Sequence, residues 1–162
     1  MGRFLGIDPG LNTSGYGVIE TSPRGIRLVE AGVIRTKSRA SLEHRLGELH
    51  EALSEIVATL RPDMMALEQL FSHYERPRTA ILMGHARGVI CLAAQLAGIP
   101  VESYAPTRVK KLLTGSGRAP KSQMQLAVKL QLNLDTLPEP ADVADALAIA
   151  LCGYHFTRLA AA

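Results

Sequence analysis

The period of the hydrophobic pattern changes from strand-like to helical near residue 40 of 162, and that change limits the folds open to the chain. Up to Thr36 the apolar residues come in short runs. Residues 3–8 end at Pro9-Gly10, residues 16–21 end before Pro23-Arg24-Gly25, and residues 26–36 are rich in Ile and Val. Such runs between turn dipeptides predict strands, and turns this short join antiparallel neighbours. From Leu42 the spacing is helical: Leu42, Leu46, Leu49, Leu53, Ile56 and Leu60 step by four and three until Arg61-Pro62 ends the helix. Residues 64–67 predict a buried strand ending at Glu68, followed by a long apolar helix over 77–97 and a strand over 100–104. Helices over 106–113, 121–132 and about 140–156 complete the chain. Hairpins followed by βαβ crossovers make an α/β chain, a mixed sheet flanked by helices. No repeat, low-complexity tract or interior linker interrupts the pattern, so residues 1–162 are expected to form a single domain. Gly84 and Gly88 weaken the 77–97 helix by roughly 1 kcal/mol each relative to Ala, which predicts a close packing partner there.

With 47% hydrophobic residues the chain can fill one substantial core, and no run reaches ~18 uninterrupted apolar residues, so no membrane span is expected. The N-terminus meets a charge and a turn too early for a secretory signal. Cys91 and Cys152 lack metal-site spacing and read as buried thiols of a reducing compartment, which predicts a cytoplasmic protein. The net charge of +3 matters less than its distribution. Arg108, Lys110, Lys111, Arg118 and Lys121 fall within residues 107–121 with no acid among them, and Arg76, Arg78 and Arg87 share residues 73–87 with the single acid Glu75. Either stretch alone could be a solvated surface; together they suggest a phosphate-rich partner.

Against this basic background four acids stand out. Asp8 closes the first strand and Glu68 the fourth, so the two carboxylates emerge at one edge if those strands are neighbours. Asp142 and Asp145, three apart, share a face of the last helix, where Val143, Ala144, Ala146, Leu147, Ala148, Ile149, Ala150 and Leu151 surround them. A helix apolar all round is buried. Singly, Asp142 could be a cap and Asp8 a turn residue. Together, carboxylates ~4 Å apart would repel by roughly 4 kcal/mol at an effective dielectric of 20 and need a proton or a cation between them. Magnesium or manganese, hard ions that favour oxygen ligands, would serve, and such a site performs phosphoryl transfer.

Several segments together resemble the RuvC family of bacterial Holliday-junction resolvases. They are Gly6-Ile7-Asp8-Pro9-Gly10 with Gly15-Tyr16-Gly17-Val18, Leu67-Glu68-Gln69-Leu70-Phe71, Ala86-Arg87-Gly88-Val89, Val109-Lys110, Lys121-Ser122-Gln123 and the run from Ala141 to Ala150. The resemblance implies an RNase H-like fold with a five-stranded mixed sheet, three antiparallel strands and then two parallel ones. It implies a homodimeric crossover-junction endodeoxyribonuclease in DNA recombination and repair, nicking two opposing strands of a four-way junction symmetrically and leaving 5′-phosphate and 3′-hydroxyl ends. It also implies two magnesium or manganese ions held by Asp8, Glu68, Asp142 and Asp145, and work alongside the branch-migration proteins RuvA and RuvB. Phe71 matches the family's aromatic at the junction centre; Lys110 and Lys121 match basic residues of DNA handling and catalysis. Arg76, Arg78, Lys111 and Arg118 are further candidates for DNA contact. The segment 72–78, His85 and Pro120 depart from the family pattern without touching the carboxylates.

Two other readings share parts of this pattern. Asp8-Pro9-Gly10 with Gly15-Tyr16-Gly17 is similar to the first phosphate loop of sugar kinases and actin, which need two such domains around a nucleotide. A non-catalytic or RNA-directed RNase H-like domain would bind nucleic acid without resolving junctions, and a complete carboxylate set argues for catalysis.

Overall fold

The structure is a computed structural model and describes residues 2–70 and 76–161. Strands β1 (Gly2–Asp8), β2 (Thr13–Ser22) and β3 (Gly25–Arg35) form an antiparallel meander. Strand β4 (Met64–Glu68) pairs in parallel with β1, and β5 (Val101–Tyr104) in parallel with β4, giving the order β3-β2-β1-β4-β5. The helices are α1 (Leu42–Leu60), α2 (Pro77–Leu96), α3 (Pro106–Thr114), α4 (Lys121–Gln131) and α5 (Ala141–Ala160). Strand β2 starts three residues before the predicted Tyr16, because Thr13 pairs with Arg35 of β3 beyond the point where β1 has ended. Helix α5 outlasts the predicted Phe156 through exposed Thr157 to Ala160, where no apolar period marks its course.

Alternation along the strands divides the core in two. Phe4, Ile19, Met64 and Ala66 pack on one face with α3, α4 and α5; Leu5, Ile7, Val18, Met65 and Leu67 pack on the other with α1 and α2. On the first face, glycines let α5 lie on the sheet backbone. A Cβ at Gly6 would stand 2.0 Å from the Ala146 carbonyl oxygen, one at Gly15 2.0 Å from that of Asp142, and one at Gly17 2.5 Å from Leu147 Cδ2. Gly6 and Gly17 are partners across β1 and β2, and Asp8 is the partner of Gly15, so these glycines form a continuous bed. The helix lying in it is buried almost continuously from Val143 to Gly153, as its composition predicts.

Helix α2 departs from expectation. Only Ala86, Ile90, Ala93 and Ala94 are buried, while Ile81, Leu92 and Leu96 are 63%, 51% and 70% exposed. Nothing among the described residues lies within 4 Å of where a Cβ on Gly84 or Gly88 would stand, so the predicted close partner is not found among them. By length and composition alone α2 could cross a membrane, with a mean hydropathy of 1.3 over 18 residues. Its buried face nonetheless belongs to the core cluster shared with α1 and the sheet.

Candidate active site

Strand topology brings the first two acids together. Ile7 of β1 is the parallel partner of Leu67 of β4, so Asp8 and Glu68 follow at adjacent strand ends. They share side-chain parity with Phe4 and Gly6 and with Met64 and Ala66, which places both carboxylates on the α5 face. The turn after Asp8 is tied by fully buried Ser14: the Gly10 N–H donates to Ser14 Oγ at 3.1 Å, and the Ser14 hydroxyl donates to the Gly10 carbonyl at 2.6 Å. Because the first turn of α5 rests on Gly15, Asp142 and Asp145 arrive at the same edge.

The electrostatics confirm that these charges feel one another. Asp8 is pushed up to about 8, first by removal from water and then by the charges of Glu68, Asp145 and Asp142. Glu68 is raised by burial and by Asp145, against the opposing pull of a hydrogen bond with Asp8 and the charge of Lys110. Burial and Asp142 also raise Asp145, although Lys121 and Lys110 work against the shift. The site holds more negative charge than its two lysines offset.

A cleft of about 180 Å³ opens beside this cluster. Glu68, Asp145, Lys110 and Lys121 supply its charged walls, and Val109, Met124 and Ile149 part of its apolar lining. Packing selects which basic residues enter. Lys110 of α3 and Lys121, exposed at the start of α4, line the cleft beside the buried Val109 and Met124, whereas Lys111 and Arg118 do not. Arg76 and Arg78 are exposed at the start of α2, which has neither a side-chain cap nor an acid in its first turn. Phe71 lies outside the described residues. The sequence marks Arg87 as a basic residue and as part of the RuvC-like segment Ala86-Arg87-Gly88-Val89 but gives it no role; its guanidinium donates to the Glu68 carbonyl and to Ser103. A charge within an otherwise apolar helix was the available signal.

Residues 4–153 match the profile of the family described as crossover junction endodeoxyribonuclease RuvC. The chain belongs to the RuvC family. It is 68% identical over 155 residues to the crossover junction endodeoxyribonuclease RuvC of Rhodopirellula baltica, covering 96% of this chain and 87% of that one. The corresponding RuvC protein of Halorhodospira halophila is 46% identical over 155 residues, covering 96% and 91%. Among solved structures, Thermus thermophilus RuvC in complex with Holliday junction substrate superposes with a TM-score of 0.93 at 35% identity, covering 99% of this chain and 97% of that one. The five-stranded mixed sheet with flanking helices is thus the RNase H-like fold of RuvC proteins.

RuvC proteins are metal-dependent nucleases. Among the described residues no three His, Cys, Asp or Glu side chains are close enough to form a ready-made cage. The donor chemistry nonetheless fits a hard divalent cation: four carboxylates, no soft ligand, and an Asp8 acid pushed up to about 8 by burial and then by the neighbouring acids.

Proposed function

We propose that this chain is a Holliday-junction resolvase that hydrolyses phosphodiesters at the cleft beside Asp8, Glu68, Asp142 and Asp145. The observation carrying the reading is the meeting of these acids at the β1 and β4 ends, flanked by Lys110 and Lys121. The four carboxylates would hold magnesium or manganese, two ions per site. When bound, the ions supply Lewis acidity and a water made nucleophilic near neutral pH. Hydrolysis breaks the bond from phosphorus to the 3′ oxygen, leaving 5′-phosphate and 3′-hydroxyl ends. Lys110 and Lys121 face the charge of the scissile phosphate, and Lys121 adds the start of α4 to that attraction. Arg76, Arg78, Lys111 and Arg118, all exposed, serve DNA outside the cleft. Phe71 stacks on a base at the junction centre.

The substrate is a four-way DNA junction, a reading supported by the similarity to the Thermus thermophilus complex. Paired symmetric nicks require two copies of the site, and the exposed face of α2 supports a homodimer: Ile81, Leu92 and Leu96 are exposed on it, and Gly84 and Gly88 line a shallow hollow beside Ile81 and Leu92. Residues 1–162 act as one nuclease domain in the cytoplasm, alongside the branch-migration proteins RuvA and RuvB. Cys91 and Cys152, both free, accord with a reducing compartment.

Asp8→Asn and Asp145→Asn test the site. Each is expected to abolish cleavage of a labelled junction while gel-shift affinity in chelator persists. Full nicking by either variant would remove the carboxylate cluster from the chemistry.

A further inference from the structure

Glu68 is the last residue of β4, held on the β5 side by the Gln69 N–H, which donates to the Tyr104 carbonyl at 3.0 Å. The β1–β4 pairing stops at Leu67, one residue short, and on the other side Glu68 pairs with Tyr104, the final residue of β5. A carbonyl at a strand end needs a partner of its own. Arg87 supplies it from α2: Nε donates to the Glu68 carbonyl at 3.3 Å, and Nη2 donates to Ser103 Oγ at 2.5 Å. One guanidinium thereby ties the ends of β4 and β5 together.

The faces of the sheet separate this contact from the chemistry. Glu68 shares its parity with Met64 and Ala66, on the α5 side. Ser103 shares parity with Val101, which packs with Leu67 on the α1 and α2 side. Arg87 reaches the backbone of Glu68 from that second side and is absent from the cleft lining, where Lys110 and Lys121 provide the cations. The rigid fork of a guanidinium, able to donate to two acceptors at once, suits this position better than an ammonium would.

We infer that Arg87 is a positioning residue for Glu68, bracing the end of β4 from the face of the sheet opposite the cleft. The inference rests on the reading of Glu68 as a metal ligand. Residues that orient a ligand through hydrogen bonds typically change metal affinity by roughly 10- to 100-fold when removed.

The test compares the wild type with Arg87→Met, Arg87→Lys, Ser103→Ala, Glu68→Gln and the double variant Glu68→Gln with Arg87→Met. Two quantities are measured without turnover: the manganese concentration giving half of the metal-induced rise in unfolding temperature, and junction affinity in chelator. Arg87→Met should raise the manganese requirement roughly 10-fold or more, with partial recovery in Arg87→Lys and unchanged chelator affinity. Ser103→Ala, which loses one neutral acceptor, should raise the requirement about threefold, and it carries the test if Arg87→Met does not fold. In the Glu68→Gln background, Arg87→Met should add nothing. An unchanged requirement in Arg87→Met, an equal shift in the double variant, or a matching loss of chelator affinity would overturn the brace. An unchanged requirement in Glu68→Gln would instead overturn the metal role of Glu68.

Discussion

Asp8 sits where two requirements conflict, because the geometry that gathers four acids also holds its proton. In the folded, metal-free protein Asp8 titrates at about 8, against an ordinary value of 3.8. Between those values the folded state keeps a proton that the unfolded chain has lost, so stability falls as pH rises from 3.8 toward 8 and levels off above it. Thermal unfolding in chelator should therefore show a larger loss of Tm between pH 5 and pH 8 for the wild type than for Asp8→Asn. Equal losses would mean that the Asp8 proton is not held by the fold. Phe71→Ala should lower the junction cleavage rate more than junction affinity, since base stacking worth ~1 to 3 kcal/mol would act on the opened strand. Unchanged cleavage would exclude that role. At this scale the acids were legible in the sequence because each terminates an apolar strand or lies in an apolar helix. Lys110 and Lys121 could not be separated from Lys111 and Arg118 without knowing how Val109 and Met124 pack. Arg87 was less legible still, since its partner is the backbone of a residue 19 positions earlier.

Helices α5 and α2 show where pattern reading succeeds and where it stops. Both are 20 residues long and apolar, yet the sheet covers α5 while one flank of α2 stays open. The difference lies in the partner surface rather than in the helices. Gly6, Gly15 and Gly17 remove the side chains that would hold α5 away, and they lie far from it in sequence. Strand and helix types were legible from periodicity, whereas the adjacency of β1 and β4 stood only as a condition until their parallel pairing was seen. The depth at which α5 lies was not legible. Gly15→Ala tests this packing directly. Its methyl would meet the Asp142 carbonyl oxygen at 2.0 Å and force the first turn of α5, with Asp142 and Asp145, off the sheet. We expect a stability loss of about 1–3 kcal/mol, a Tm lowered by several degrees, and cleavage reduced beyond what the remaining folded fraction explains. Wild-type Tm and cleavage would show that α5 does not rest there.

For the whole molecule, the proposed function assigns the cleft to DNA and the exposed flank of α2, with Ile81, Leu92 and Leu96, to a second copy. Substituting Ile81→Glu together with Leu92→Glu changes only exposed positions, so unfolding temperature should stay within a few degrees of wild type. Sedimentation velocity should then show a monomer, and junction cleavage should yield uncoupled single nicks. A dimer of wild-type stability would place the interface elsewhere. The central claim is that four carboxylates and two lysines at one sheet edge resolve branched DNA, and its most direct test is one cleavage assay. Labelled four-way junction and linear duplex of the same sequence are incubated with the protein in chelator, in magnesium and in manganese, beside Asp145→Asn. Paired, symmetric nicks are expected in the junction alone, only with metal, and none from the variant. Cleavage in chelator, equal cutting of the linear duplex, or wild-type nicking by Asp145→Asn would contradict it.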